Sequence, residues 1–137
     1  MGLDNGVYVK SNKRKITRED LPVIINYPFE KDYNDNVEII YWRKCWGLRN
    51  DVMNTFGWRF APEEQYIFEI DKPEQVLQFI ELISSWLNEK KWQEEGDSIW
   101  EYNEMRETLI QNIVNLAVIY MYMIMYPDVY LEFYDSY

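Results

Sequence analysis

The chain has 137 residues, the length of one domain, and 47% of them are hydrophobic, enough for a sizeable core and too many for a disordered or collagen-like chain. It contains no histidine and a single cysteine, Cys45. Those counts exclude histidine-based triads and general bases, nearly all ordinary zinc sites, an intrachain disulfide and a four-cysteine metal site.

The net charge of −10 is unevenly spread: residues 1–27 carry a surplus of +2, residues 28–60 balance, and residues 61–137 carry −12. An acidic half of this kind repels nucleic acid and anionic lipid over about 8 Å at physiological salt, and attracts basic protein surfaces. The opening residues lack a basic segment followed by an apolar stretch, so no secretory leader is expected. A lone thiol fits a reducing, cytoplasmic setting.

In chain order, Val7 and Val9 alternate with Tyr8 and Lys10, which predicts a strand over 6–10 with one buried face. Residues 11–20 are polar and read as a loop with a helical turn near Thr17, and Pro22 and Pro28 mark irregular chain after it. A second strand is expected over 37–41, where β-branched residues alternate around Glu38. From Arg43 the period changes: Cys45, Trp46, Leu48, Val52, Met53 and Phe56 predict a helix that ends before Gly57. A third strand is expected over 66–70.

Asp71, Pro73 and Glu74 read as a capping box, opening a helix whose apolar face is Val76, Phe79, Ile80, Ile83 and Leu87, with Gln75, Gln78, Glu81 and Ser85 toward water. Ser98 and Glu101 read as a second box, opening a long helix that Pro127 stops. Thr108, Gln111, Asn112 and Asn115 make a polar stripe in that helix, and 116–126 has no polar break beyond tyrosine hydroxyls. A membrane span needs about 20 apolar residues, and extending the run to that length takes in Gln111, Asn112 and Asn115, so a buried or dimer-forming helix is expected instead. Residues 129–134 alternate as a last strand. The elements predict one α+β domain over 1–137: a mostly antiparallel sheet of three or four strands on three helices, the last long and apolar.

The candidate ligand-binding group is Tyr41, Trp42, Arg43, Lys44, Trp46, Arg49, Trp58 and Arg59, because guanidinium forks and indole faces suit an anionic aromatic ligand such as a nucleotide. The plainer reading packs Trp42 and Trp46 in the core and pairs the arginines with carboxylates. Lys10, Lys13, Arg14, Lys15 and Arg18 form a basic run that reads as a solvated loop or a contact to an acidic partner. Asp97, Glu101 and Glu104 could share a helix face toward a hard cation, although acidic residues are expected at a helix start for the macrodipole alone. Cys45 reads as a buried thiol without a base beside it.

The run Glu38-Ile39-Ile40-Tyr41-Trp42-Arg43-Lys44, the opening Gly2-Leu3-Asp4-Asn5 and the aromatic segment 130–137 resemble a group of small phage and prophage proteins that share a Tyr-Trp-Arg-Lys core. The resemblance spans most of the chain and implies a mobile-element origin and an α+β fold, with no settled activity to carry over. Those relatives often carry a histidine in the following helix, which this chain lacks. The expected function is therefore a non-enzymatic protein-interaction module, in its sharpest version an acidic inhibitor of a nucleic-acid-binding protein. The alternative is a nucleotide-like anion held by the arginine and tryptophan group. No cofactor, no catalytic residue, no metal, no direct nucleic-acid contact and no membrane are expected. A second copy of the chain is expected if the apolar helix keeps an uncovered face.

Overall fold

The computed structural model describes residues 3–32, 34–57, 67–94 and 102–136. Four strands, β1 (Asp4–Ser11), β2 (Val37–Arg43), β3 (Ile67–Ile70) and β4 (Val129–Ser136), form one antiparallel sheet in the order β2-β1-β4-β3. Three helices accompany them: α1 (Trp46–Val52), α2 (Pro73–Asn88) and α3 (Tyr102–Met125). This is the α+β architecture that the periodicity predicts.

The pleat sorts each strand into two faces. Val7 and Val9 of β1 share the inner face with Trp42, Phe133, Leu131, Phe68 and Ile70, all buried. Against them pack Leu48 and Val52 of α1, Val76, Phe79 and Ile83 of α2, and Leu109, Leu116 and Ile119 of α3. An aromatic chain runs through this core: Trp42 meets Phe79 edge-on at 6.1 Å and Phe133 at 6.4 Å, and Phe133 stacks on Phe68 at 5.0 Å. Off-face aromatic geometries of this kind add to plain area burial. The Trp86 indole donates to Asp51 at 2.6 Å and ties α2 to α1.

Several boundaries differ from the sequence reading, each for a local reason. The strand β2 runs on to Arg43, and the helix starts only at Trp46, because Lys44 adopts φ 56° and breaks the chain direction between them. The helix then widens into a π-type turn over Met53–Gly57. At α2 the reciprocal cap is Gln75 rather than Glu74: its Oε1 accepts from the backbone N–H of Asp71 at 3.1 Å and of Lys72 at 3.2 Å. Gln75 is consequently buried, not turned to water. The expected alternation in β2 breaks at a bulge, where Val7 pairs with Ile40 but Tyr8 pairs with Glu38, so Ile39 is the extra residue. Ser98, Glu101, Tyr66 and most of the acidic run 94–101 lie outside the described residues.

The polar stripe of α3 is structural. Asn112 and Asn115 are buried. Asn112 Oδ1 accepts the Trp42 indole N–H at 2.8 Å. Asn115 Nδ2 donates to the carbonyls of Ile39 and Asn26, both at 2.9 Å, and its Oδ1 accepts the Asn26 N–H at 3.1 Å. One amide thus satisfies the bulge carbonyl and anchors the loop that follows Pro22.

Candidate functional site

The outer face of the sheet, opposite the three helices, carries the side chains that alternate with the core. Cross-strand pairing arranges them in rows. One row is Tyr41, Gly6, Tyr134 and Ile67; the next is Glu38, Tyr8, Glu132 and Glu69. Three of the four residues in the second row are glutamates. Lys10 and Tyr130 form the row beyond, and Arg43 and Asp4 lie across the opposite border.

Gly6 makes this packing work. A Cβ there would collide with the Glu38 carboxylate and lie 2.7 Å from the Tyr134 ring, so only glycine lets those two groups close over β1. The Tyr134 hydroxyl donates to Glu38 Oε2 at 2.5 Å, and the Tyr8 and Tyr134 rings stack at 4.9 Å. The Tyr41 hydroxyl donates to Asp4 Oδ1 at 2.7 Å, and Phe29 packs on the Tyr41 ring at 4.9 Å.

Burial and carboxylates dominate the electrostatics of this face, opposed in part by Lys10 and Arg43. Burial, with a smaller push from Asp4, raises the Glu38 carboxyl to about 7 against the lowering pull of the Tyr134 hydroxyl. Burial and then Glu38 and Glu132 raise the Tyr8 phenol, and burial with Glu69 and Glu132 raises Tyr130. Tyr41 and Tyr134 rise for burial first and for their carboxylate partners second. Glu69 and Glu132 sit directly opposite each other, a like-charge pairing that the Lys10 ammonium offsets. Lys10 meets Glu132 at 2.8 Å, while Glu69 is exposed.

The structure splits the predicted arginine and tryptophan group. Tyr41 and Arg43 belong to the outer face, whereas Trp42, one residue between them, is fully buried on the inner face. Arg49 is drawn to the inner side as well: its Nε and Nη2 bind the two oxygens of Asp135 at 3.1 and 2.7 Å. Arg43 and Arg49 therefore lie on opposite faces of the sheet and do not converge on a concavity. Lys44 forms the turn, its N–H donating to the Leu3 carbonyl at 2.7 Å, and Trp46 is partly exposed in the first turn of α1. Trp58 and Arg59 lie outside the described residues.

The basic run and Cys45 resolve in the plainer direction, while Asp97 and Glu101 of the acidic cluster lie outside the described residues. In the basic run, Lys10, Arg14, Lys15 and Arg18 pair with Glu132, Asp128, Asp35 and Asp32. Arg18 also donates to the carbonyls of Phe29 and Glu30 and lies 4.2 Å over the Tyr27 ring, clamping the loop. Cys45 is buried against Met105. Among the described residues, no cluster of three metal-ligating side chains is assembled.

An open cleft of about 470 Å³ lies beside β2, between the 26–28 loop and α3. Tyr41, Gln111, Asn112 and Asn115 line it, and its charged lining residues are Glu104 and Glu107. Two carboxylates at the rim disfavour an anion there. The outer sheet face was legible only as single alternating residues. The register that gathers three glutamates into one row comes from pairings between Tyr8 and Glu38, Tyr8 and Glu132, and Glu69 and Glu132, all distant in the chain. No family model, no curated protein and no solved structure matches the chain.

Proposed function

We propose that the protein is a non-enzymatic docking module whose outer sheet face receives a basic protein surface. The observation that carries this reading is the row Glu38, Tyr8, Glu132 and Glu69, in which Lys10 pairs with Glu132 and leaves Glu69 exposed opposite it. A lysine or arginine from a partner finds in Glu69 an exposed carboxylate to pair with. Half-buried tyrosines beside carboxylates suit such a group, since a guanidinium gains from a phenol face and from a carboxylate fork together. Tyrosine also brings large contact area at little conformational cost. The sharper version is a partner whose basic surface otherwise holds nucleic acid, for which this face competes.

The test is fluorescence anisotropy with a labelled arginine- and lysine-rich peptide at low and physiological salt. Glu69→Lys combined with Glu132→Lys is expected to abolish binding. Reversing two exposed carboxylates of α2, Glu74→Lys with Glu81→Lys, changes net charge equally and is expected to retain most of it. Equal loss in both double variants would reduce the effect to bulk charge and overturn the reading, as would absence of binding at low salt. Displacement of a nucleic-acid probe from a basic protein tests the sharper version.

A further inference from the structure

We infer that α3 pairs with α3 of a second copy, antiparallel, about a two-fold axis at Ala117. The helix spans 24 residues, and its buried side carries Met105, Asn112, Ile119 and Met123. On the opposite side Ile110, Val114, Ala117, Met121 and Ile124 recur at intervals of four and three. That is the spacing of a helix-pairing seam. Val114 is half-buried and the other four are exposed, Met121 to 58% and Ile124 to 51%.

Three features select a second copy as the occupant. First, residues 108–127 contain no charged side chain in a chain of net charge −10, so two identical acidic molecules can meet here without opposing like charges. Second, the seam is self-complementary about its one small residue. Isoleucines stand seven positions to either side of Ala117, at Ile110 and Ile124, both exposed. A two-fold axis through Ala117 places Ile110 against the partner's Ile124 at both ends and lets the backbones approach at the centre. Third, the ends match. Arg106 and Glu107 lie exposed at the N-terminal end of the seam, and the Arg14–Asp128 ion pair lies at its C-terminal end. Antiparallel pairing sets Arg106 opposite the partner's Asp128, eleven positions from the axis on each side, whereas parallel pairing sets Arg106 on its own copy.

The helix Glu104–Met125 is also long and apolar enough to cross a bilayer. Drawing it into lipid would strip Trp42, Ile39 and Asn26 of the amide partners that Asn112 and Asn115 supply. The seam from Ile110 to Ile124 is about 21 Å long. A helix pair of that length covers less than the roughly 800 Å² per partner of a standard interface, so the dimer is reversible. Since α3 lies between the seam and the sheet, pairing leaves both outer sheet faces free, and the two proposals fail independently.

Light scattering over a concentration series up to about 1 mM, the range of weak association, is expected to show the mass rising toward twice the 16.8 kDa chain. Ala117→Glu, at an exposed position, is expected to hold the mass at one chain with an unchanged thermal melt. Mild oxidation of Ala117→Cys is expected to give a covalent dimer, since Cys45 is buried. Mixing Ile110→Cys with Ile124→Cys chains is expected to cross-link unlike chains in preference to like ones. A monomer at every concentration, preferential like-with-like cross-linking, or uptake onto neutral phosphatidylcholine vesicles in place of dimerisation would overturn the inference.

Discussion

The Tyr134 hydroxyl donates to Glu38 Oε2 at 2.5 Å across the gap left by Gly6, joining the last strand of the chain to the second over a distance of 96 positions. Glu38 is nearly enclosed, and burial raises its carboxyl from 4.5 to about 7. A carboxyl whose folded pKa lies above its unfolded value binds its proton more tightly when folded. Its stabilising contribution is complete below about pH 4.5 and is lost as pH climbs through about 7. With allowance for screening at the open sheet face, the loss should amount to about 1–2 kcal/mol. Urea unfolding at pH 5 and pH 8 measures it. Glu38→Gln should flatten the difference, and an unchanged difference in that variant would assign the pH dependence elsewhere.

A second prediction concerns the buried bond between the Trp42 indole and Asn112. Asn112→Leu removes the acceptor of a fully buried N–H, and should cost about 1–3 kcal/mol. Trp42→Phe removes the donor as well as some volume. The two changes together should cost less than their sum, by about 1 kcal/mol or more, because the double variant leaves no orphaned group. Additive losses in a double-mutant cycle would show that the bond contributes little.

These residues also mark how far the sequence could be read. Apolar periodicity located every described strand and helix, because burial of one face per element is written locally. The pairing of Tyr134 with Glu38, of Arg49 with Asp135 and of Trp42 with Asn112 depends on which strands are neighbours, and nothing local encodes that order. Asn112 and Asn115 carry the same polarity whether a stripe faces water or the core, so only the fold shows that they serve the β2 bulge and the indole. Proximity in sequence misled in the opposite way: Tyr41, Trp42 and Arg43 are consecutive, and the pleat sends the middle one to the other face.

Arg49 supplies a third prediction. Asp135 is 4% exposed and accepts from both Arg49 nitrogens and from Asn5 Nδ2 at 2.6 Å. Arg49→Met leaves that carboxylate buried with one neutral donor, and should cost about 3 kcal/mol. Arg49→Lys restores charge but not the two-pronged geometry and should recover only part of the loss. The cost should change little between low and high salt, since a buried pair is poorly screened. Chemical denaturation of the three proteins at two ionic strengths would check it, and full recovery by lysine would refute the role given to the fork.

The turn at Lys44 yields the last prediction. Its φ of 56° lies in the left-handed region, and its N–H donates to the Leu3 carbonyl at 2.7 Å, so the turn constrains the backbone at this position. Glycine adopts this conformation without the Cβ penalty of roughly 1 kcal/mol, but gives back a similar amount as extra freedom in the unfolded chain. Lys44→Gly should therefore leave stability within about 0.5 kcal/mol of the native value. Lys44→Val places a β-branched side chain where it is least tolerated, and should cost about 2 kcal/mol. Thermal melts of the two variants separate the explanations. A loss in Lys44→Gly as large as that in Lys44→Val would mean that the lysine side chain, and not the chain reversal, holds β2 and α1 together.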